Sequence, residues 1–312
     1  NALTGTSATL SGGSGGITFA GTSSLSTNSS SGTAGNINIT ATGGGVSLGT
    51  GNITAQATGA TGSGGSITIS GTSFSAGNQI NANSATAGNG GSISISATGA
   101  SGDLTANNTF SLYAQGGATS GNGGSISLTA GRNLTIASNA SINLGPQATN
   151  GNGGTLSLTS GVSAAGNLQA NLALSANGAG TGNGGTINVT YRDASNPILF
   201  GASGANSYIN GNITATAPGA GNGGTVNITN TAAGALTGTL TGSISTAGTS
   251  NGSITFTSQN GQAVSVTGAG GLTGVVNNNA NAAGVTYTVG TGNLTLGNIS
   301  NGSGNIGITN NA

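Results

Sequence analysis

Groups able to move a proton, hold a metal or attack an electrophile are scarce in this chain. Two acids, Asp103 and Asp193, and two bases, Arg132 and Arg192, are its only charged residues, and His, Cys, Lys and Glu are absent. Paired carboxylates could cleave a polysaccharide by general acid–base catalysis or hold calcium, but only if they converge. The two Asp stand 90 residues apart, about three structural repeats by the spacing described below, so a shared site is not expected. Ser and Thr are abundant, yet a hydroxyl without a neighbouring base is a poor nucleophile. Without His or Cys, the usual transition-metal ligands are missing. The sequence therefore predicts no enzyme, no metal site and no cofactor.

One stretch does gather side chains suited to recognition. Between Tyr191 and Asn210 lie Tyr191, Arg192, Asp193, Phe200 and Tyr208, which together hold two of the four charges and three of the nine aromatics. Aromatics beside Arg are typical anchors of binding interfaces. Two readings stand for 191–210: a corner loop held by its own aromatics, or a contact patch for a partner such as a surface glycan.

Another set of residues repeats. Gly88-Asn89-Gly90-Gly91 opens Ser92-Ile93-Ser94-Ile95-Ser96, and Gly121-Asn122-Gly123-Gly124 opens Ser125-Ile126-Ser127-Leu128. The motif returns as Gly151-Asn152-Gly153-Gly154 before Thr155-Leu156-Ser157-Leu158, and as Gly182-Asn183-Gly184-Gly185 before Thr186-Ile187-Asn188-Val189. It appears again as Gly221-Asn222-Gly223-Gly224 before Thr225-Val226-Asn227-Ile228, and the final glycines are spaced by 33, 30, 31 and 39 residues. A phosphate loop would need a Lys and a following helix, and neither is present.

Strict polar/apolar alternation with β-branched residues is the pattern of a strand with one buried face, and nothing carries a helical apolar stripe. Weaker strand patterns fill each interval, such as Asp103-Leu104-Thr105 and Phe110-Ser111-Leu112-Tyr113. The prediction is a single all-β solenoid over 1–312, a parallel β-helix of about three short strands and ~30 residues per rung and about ten rungs. Residues 191–210 leave it as a corner excursion. Ile93, Ile95, Ile126, Leu128, Leu156, Leu158, Ile187, Val189, Val226 and Ile228 should form core columns. Asn89, Asn122, Asn152, Asn183 and Asn222 should stack at corners, where Gly and Asn supply the positive φ of a sharp bend and aligned amides can bond up the column.

Composition narrows the partners. With two basic residues the chain lacks the footprint needed to neutralise nucleic-acid phosphates. No apolar run approaches the ~20 residues of a membrane helix, so no membrane insertion is expected. A net charge of zero removes a repulsion that keeps copies apart. Disorder, common in Gly/Ser/Asn/Thr-rich chains, is disfavoured because 33% of residues are hydrophobic and they alternate. Ends without a capping helix predict further rungs of a longer parent chain or end-to-end stacking of copies. Sequons such as Asn52, Asn133, Asn212 and Asn293 follow from composition alone. Thr186, Asn188 and Thr190 should lie over Thr225, Asn227 and Thr229 as a flat polar lattice. Ice-binding faces use Thr methyls, and Ser92, Ser94 and Ser96 lack them, so a solvated or packing face is the expectation.

The repeated Gly-Asn-Gly-Gly-strand units, together with Gly131-Arg132-Asn133-Leu134-Thr135-Ile136, resemble the shaft of filamentous-haemagglutinin-like exoproteins of Gram-negative bacteria. The resemblance covers roughly the whole chain. It implies a right-handed β-helix, export by a two-partner system, and a place outside the cell as a surface adhesin.

Overall fold

The computed structural model describes residues 2–4, 6–259, 262–282, 284–291, 294–301 and 304–311. The sequon at Asn293 lies outside them. The chain is all-β and coils as a parallel β-helix. Each turn lays a strand on a broad face, then one on a second face, then one on a third, before returning one level higher.

The broad face has eleven parallel strands, from Ala8–Gly12 to Thr295–Asn301. At ~4.8 Å per strand that is a rod about 50 Å long. Its register puts like on like: Ile67, Ile93, Ile126, Leu156, Ile187, Val226 and Ile254 form one column. Ile69, Ile95, Leu128, Leu158, Val189, Ile228 and Phe256 form the next. All of these side chains are buried, because with a period of two the alternate residues must face the interior. One continuous apolar cluster runs from Leu25 to Val289.

The third face is thinner and divides into a six-stranded and a four-stranded sheet, with the break between Ser141–Asn143 and Leu174–Ser175. Beyond Leu272–Thr273 no described strand continues it, and only the Gly271–Thr291 bridge extends the ladder. Among the described residues the last turns therefore hold two strands each, where the turns before them hold about three. Val275 pairs Thr295, only 20 residues on, and the register then slips on either side of Asn278. Ile306 and Ile308 on the last second-face strand are exposed.

The second face carries twelve strands, one more than the broad face. The extra strand comes from 191–210. Ile198–Phe200 and Tyr208–Ile209 both join the second face, side by side and parallel, between Leu168–Ala170 below and Leu236–Leu240 above. Both strands of this segment are thus part of the wall, and the turns at 192–197 and 201–207 lie outside it. Phe200 fills space that Gly238 leaves free: a Cβ on Gly238 would lie 2.9 Å from its ring.

Candidate functional site

Two corners of the triangular cross-section hold the candidate residues, and they are built differently. At the corner leading into the broad face, Gly88 and Gly121 take φ values of 135° and 128°. No described non-glycine residue has positive φ, so the bend is glycine's alone and Asn takes no part in it. Gly124 serves another purpose: a Cβ there would meet the Gly91 carbonyl oxygen of the rung below at 2.0 Å.

The Asn side chains tie successive rungs together. The backbone N–H of Asn122 donates to Asn89 Oδ1 at 2.9 Å, and Asn152, Asn183 and Asn222 donate to the Oδ1 of Asn122, Asn152 and Asn183 at 2.8 Å each. The ladder is thus side chain to backbone, where bonds between aligned amides were expected. Each bond satisfies a corner N–H that no strand pairs. A shallow hollow of about 610 Å³ runs along this corner, lined by Asn36, Asn89, Asn122 and glycine backbone.

The corner between the broad and second faces gathers all four charges. Asp103, Arg132 and the Arg192–Asp193 pair each follow the end of a broad-face strand. Arg132 binds Asp103 through Nε to Oδ1 at 2.9 Å and Nη2 to Oδ2 at 2.6 Å. Asn133 N–H also donates to Asp103 Oδ1, and Asn167 N–H to Asn133 Oδ1, a shorter ladder with a carboxylate at its base. The Arg132 hydrogen bonds hold the Asp103 carboxyl below its ordinary value against the opposing effect of partial burial. The same bonds raise Arg132.

Asp193 is bonded within its own turn, accepting from the N–H groups of Ser195 and Asn196 and from Asn196 Nδ2. Neither carboxylate is placed to share a site with the other. Arg192 is exposed, and its guanidinium has no side-chain partner among the described residues. It lines two hollows. One, about 410 Å³, is walled by Thr159, Ser160, Val162, Thr190, Thr231 and Gln259. The other, about 400 Å³, holds Asp193, Asn133, Asn167 and Asn196.

The aromatics read as a contact patch are not on the surface. Tyr191, Phe200 and Tyr208 are buried, at 0%, 1% and 7% exposure, because each falls on an inward or wall position of a strand. Tyr208 Oη accepts from Asn171 Nδ2 at 3.0 Å. The Tyr191 hydroxyl has no partner among the described residues, and burial first, then the nearby Asp193 charge, push its ionisation far above the ordinary phenol value. Tyr287, likewise without a partner among the described residues, is raised by burial. Of the five residues, only Arg192 and Asp193 offer charge to solvent. What the sequence did not reveal was the convergence of charge on one corner. Its one available signal is that each of the three charged sites follows a broad-face strand.

The fold defines a parallel β-solenoid whose corners are fixed by inter-rung hydrogen bonds. Searches against protein-family models, curated proteins and solved structures find no match. Among the described residues no three His, Cys, Asp or Glu side chains converge on a metal-sized site, and no helix is long and apolar enough to cross a membrane.

Proposed function

We propose that this chain is a structural, non-catalytic extracellular β-solenoid, the shaft of a surface fibre, sheath or adhesin of the filamentous-haemagglutinin-like kind. The observation that carries this reading is the broad face itself. Over seven rungs its outward residues are only Ser, Thr and Asn, from Ser66-Thr68-Ser70 to Ser253-Thr255-Thr257. They bond to one another up the columns, as Ser92 to Ser66 and Asn227 to Asn188. A flat, uncharged lattice of donors and acceptors suits packing against a copy of itself. Both carboxylates being engaged, with Arg132 and with the Asp193 turn, fits a chain without catalysis.

Electron microscopy of the purified chain tests this. Rods aligned side by side are expected, and Asn188→Glu with Asn227→Glu should disperse them through like-charge repulsion. Wild-type rods that stay single at every concentration would remove the self-association part of the reading.

Arg192 supports a second reading, in which an adhesin recognises an acidic surface glycan. A guanidinium without a protein partner, in a hollow walled by hydroxyls, matches a sugar carboxylate. Deleting 191–210 would take Ile198, Phe200 and Ile209 out of the core, so Arg192→Gln is the cleaner variant. Loss of attachment to a uronate-bearing glycan with rods intact favours recognition. Unchanged attachment removes Arg192 from it.

A further inference from the structure

Asn followed by Gly is the dipeptide most prone to spontaneous deamidation, because no side chain shields the following nitrogen. Nine such pairs lie within the described residues: Asn89, Asn122, Asn150, Asn152, Asn177, Asn183, Asn210, Asn222 and Asn251, each before a Gly. The pairs beginning at Asn260 and Asn301 involve residues outside the described set. In the reaction the backbone nitrogen of the Gly attacks the Asn Cγ, losing its proton to solvent base. A C–N bond forms, ammonia leaves, and the cyclic imide is opened by water to Asp or iso-Asp. Each event adds one carboxylate, and the iso form adds a methylene to the backbone.

The fold treats the nine pairs unequally. Six have Oδ1 held by a backbone N–H of the next rung: Asn89, Asn122, Asn152 and Asn183 in the main ladder, Asn150 by Thr181 at 2.9 Å, and Asn177 by Thr216 at 2.8 Å. In the main ladder the attacking nitrogens are tied as well: Gly90, Gly123, Gly153 and Gly184 donate to the carbonyls of Asn122, Asn152, Asn183 and Asn222. The nucleophiles at Asn222 and Asn251 are tied too, Gly223 N–H to the Ser250 carbonyl and Gly252 N–H to the Thr246 carbonyl, so the division lies in the side chains: an Oδ1 anchored to the rung above keeps Cγ from turning onto its own neighbour. Asn210 is held only through Nδ2, to Asn171 Oδ1. Asn222 and Asn251 have no side-chain partner among the described residues. The next corner reads Thr249-Ser250-Asn251-Gly252, with Ser250 at the ladder position, and among the described residues no N–H of that rung bonds Asn222 Oδ1, so the main ladder stops at Asn222.

We infer that the Asn ladder is a chemical lock on the chain's Asn-Gly pairs, and that Asn222 and Asn251, where it ends, are the modification sites at which the folded rod acquires charge. Accessibility does not account for this division, since Asn89, Asn152 and Asn183 are exposed just as Asn222 and Asn251 are. In a chain of net charge zero, two conversions set the rod at minus two. Weakened side-by-side packing of aged rods would follow, a consequence that rests on the proposed self-association.

The test is incubation of the intact protein in mildly alkaline buffer, with peptide mass mapping over time, beside the same chain in denaturant. Asn222 and Asn251 should convert at least about tenfold faster than Asn152 and Asn183 in the folded rod, the rate equivalent of one net hydrogen bond. In denaturant Asn152, Asn183 and Asn222, each within Gly-Asn-Gly-Gly, should converge, and Asn251, within Ser-Asn-Gly-Ser, should fall close to them. Equal rates for Asn183 and Asn222 in the folded protein, or the same ratio persisting in denaturant, would overturn the lock. The readout is independent of rod association, so single rods with site-selective conversion would sink the packing model and leave the lock standing.

Discussion

The corner entering the broad face and the corner leaving it solve the same problem, one by repetition and the other by variation. The first repeats one motif: glycine for the bend, glycine for the close approach, and Asn Oδ1 on the next rung's N–H. The second tolerates a bidentate ion pair, a self-bonded Asp turn and an inserted strand within four rungs. A corner that makes the same bond to the rung above at every level must keep the same residues at every level. The second corner also bonds between rungs, Arg132 and Asn133 to Asp103 and Asn167 to Asn133, but with different groups at each level, and that is where this rod carries its charge.

Substitutions can break this contrast. The largest effect is expected at the periodic corner, where Gly124→Val puts a side chain onto the Gly91 carbonyl at 2.0 Å. Backbone cannot yield there without separating two rungs, so loss of the cooperative thermal transition is expected by circular dichroism. Ser195→Val at the variable corner, an exposed position, should leave the transition within about 0.5 kcal/mol of wild type.

Next comes the inserted segment. Tyr191→Ala should cost about 3–5 kcal/mol, as for other buried aromatics, whereas Tyr191→Phe should be neutral or stabilising because it deletes an unpartnered hydroxyl. Denaturant titration of both variants checks this. The raised Tyr191 and Tyr287 ionisations add a sign: stability is full below the unfolded phenol pKa of about 10 and falls as pH rises above it. Replacing both by Phe should flatten that alkaline limb.

The smallest effect concerns the ion pair. Asp103 is lowered in the folded state, so its contribution is present above the unfolded value of about 3.9 and is lost as pH falls through the folded one. Melting temperature should dip slightly below about pH 4 in the wild type and not in Asp103→Asn. An equal dip in both would show that the pair, which is over a third exposed on each side, adds nothing measurable.

Periodicity alone made much of this protein legible. Alternation at Ser92–Ser96 and its copies fixes which residues face inward, since a strand of period two leaves no other choice for Ile93 and Ile95. Recurrence at about thirty residues then stacks those choices into columns. Contacts whose partners lie one rung away, at separations that vary from 20 to 39 residues, could not be read so directly. Phe200 and Tyr208 look like a surface patch in the chain because their strands are short and interrupted, and only the added wall position turns them inward, whereas Tyr191 continues the Ile187-Val189 alternation of its own broad-face strand.

The sequence by itself determined the fold class, the core columns and the neutrality of the surface, because each follows from local residue type and spacing. Tertiary structure decided that Asn caps the next rung's backbone while glycine alone makes the bend. It also decided that four scattered charges share one corner, and that the lock on Asn-Gly ends at Asn222. Those depend on which groups meet across rungs, and a hydrogen bond across rungs is set by register and corner geometry in three dimensions.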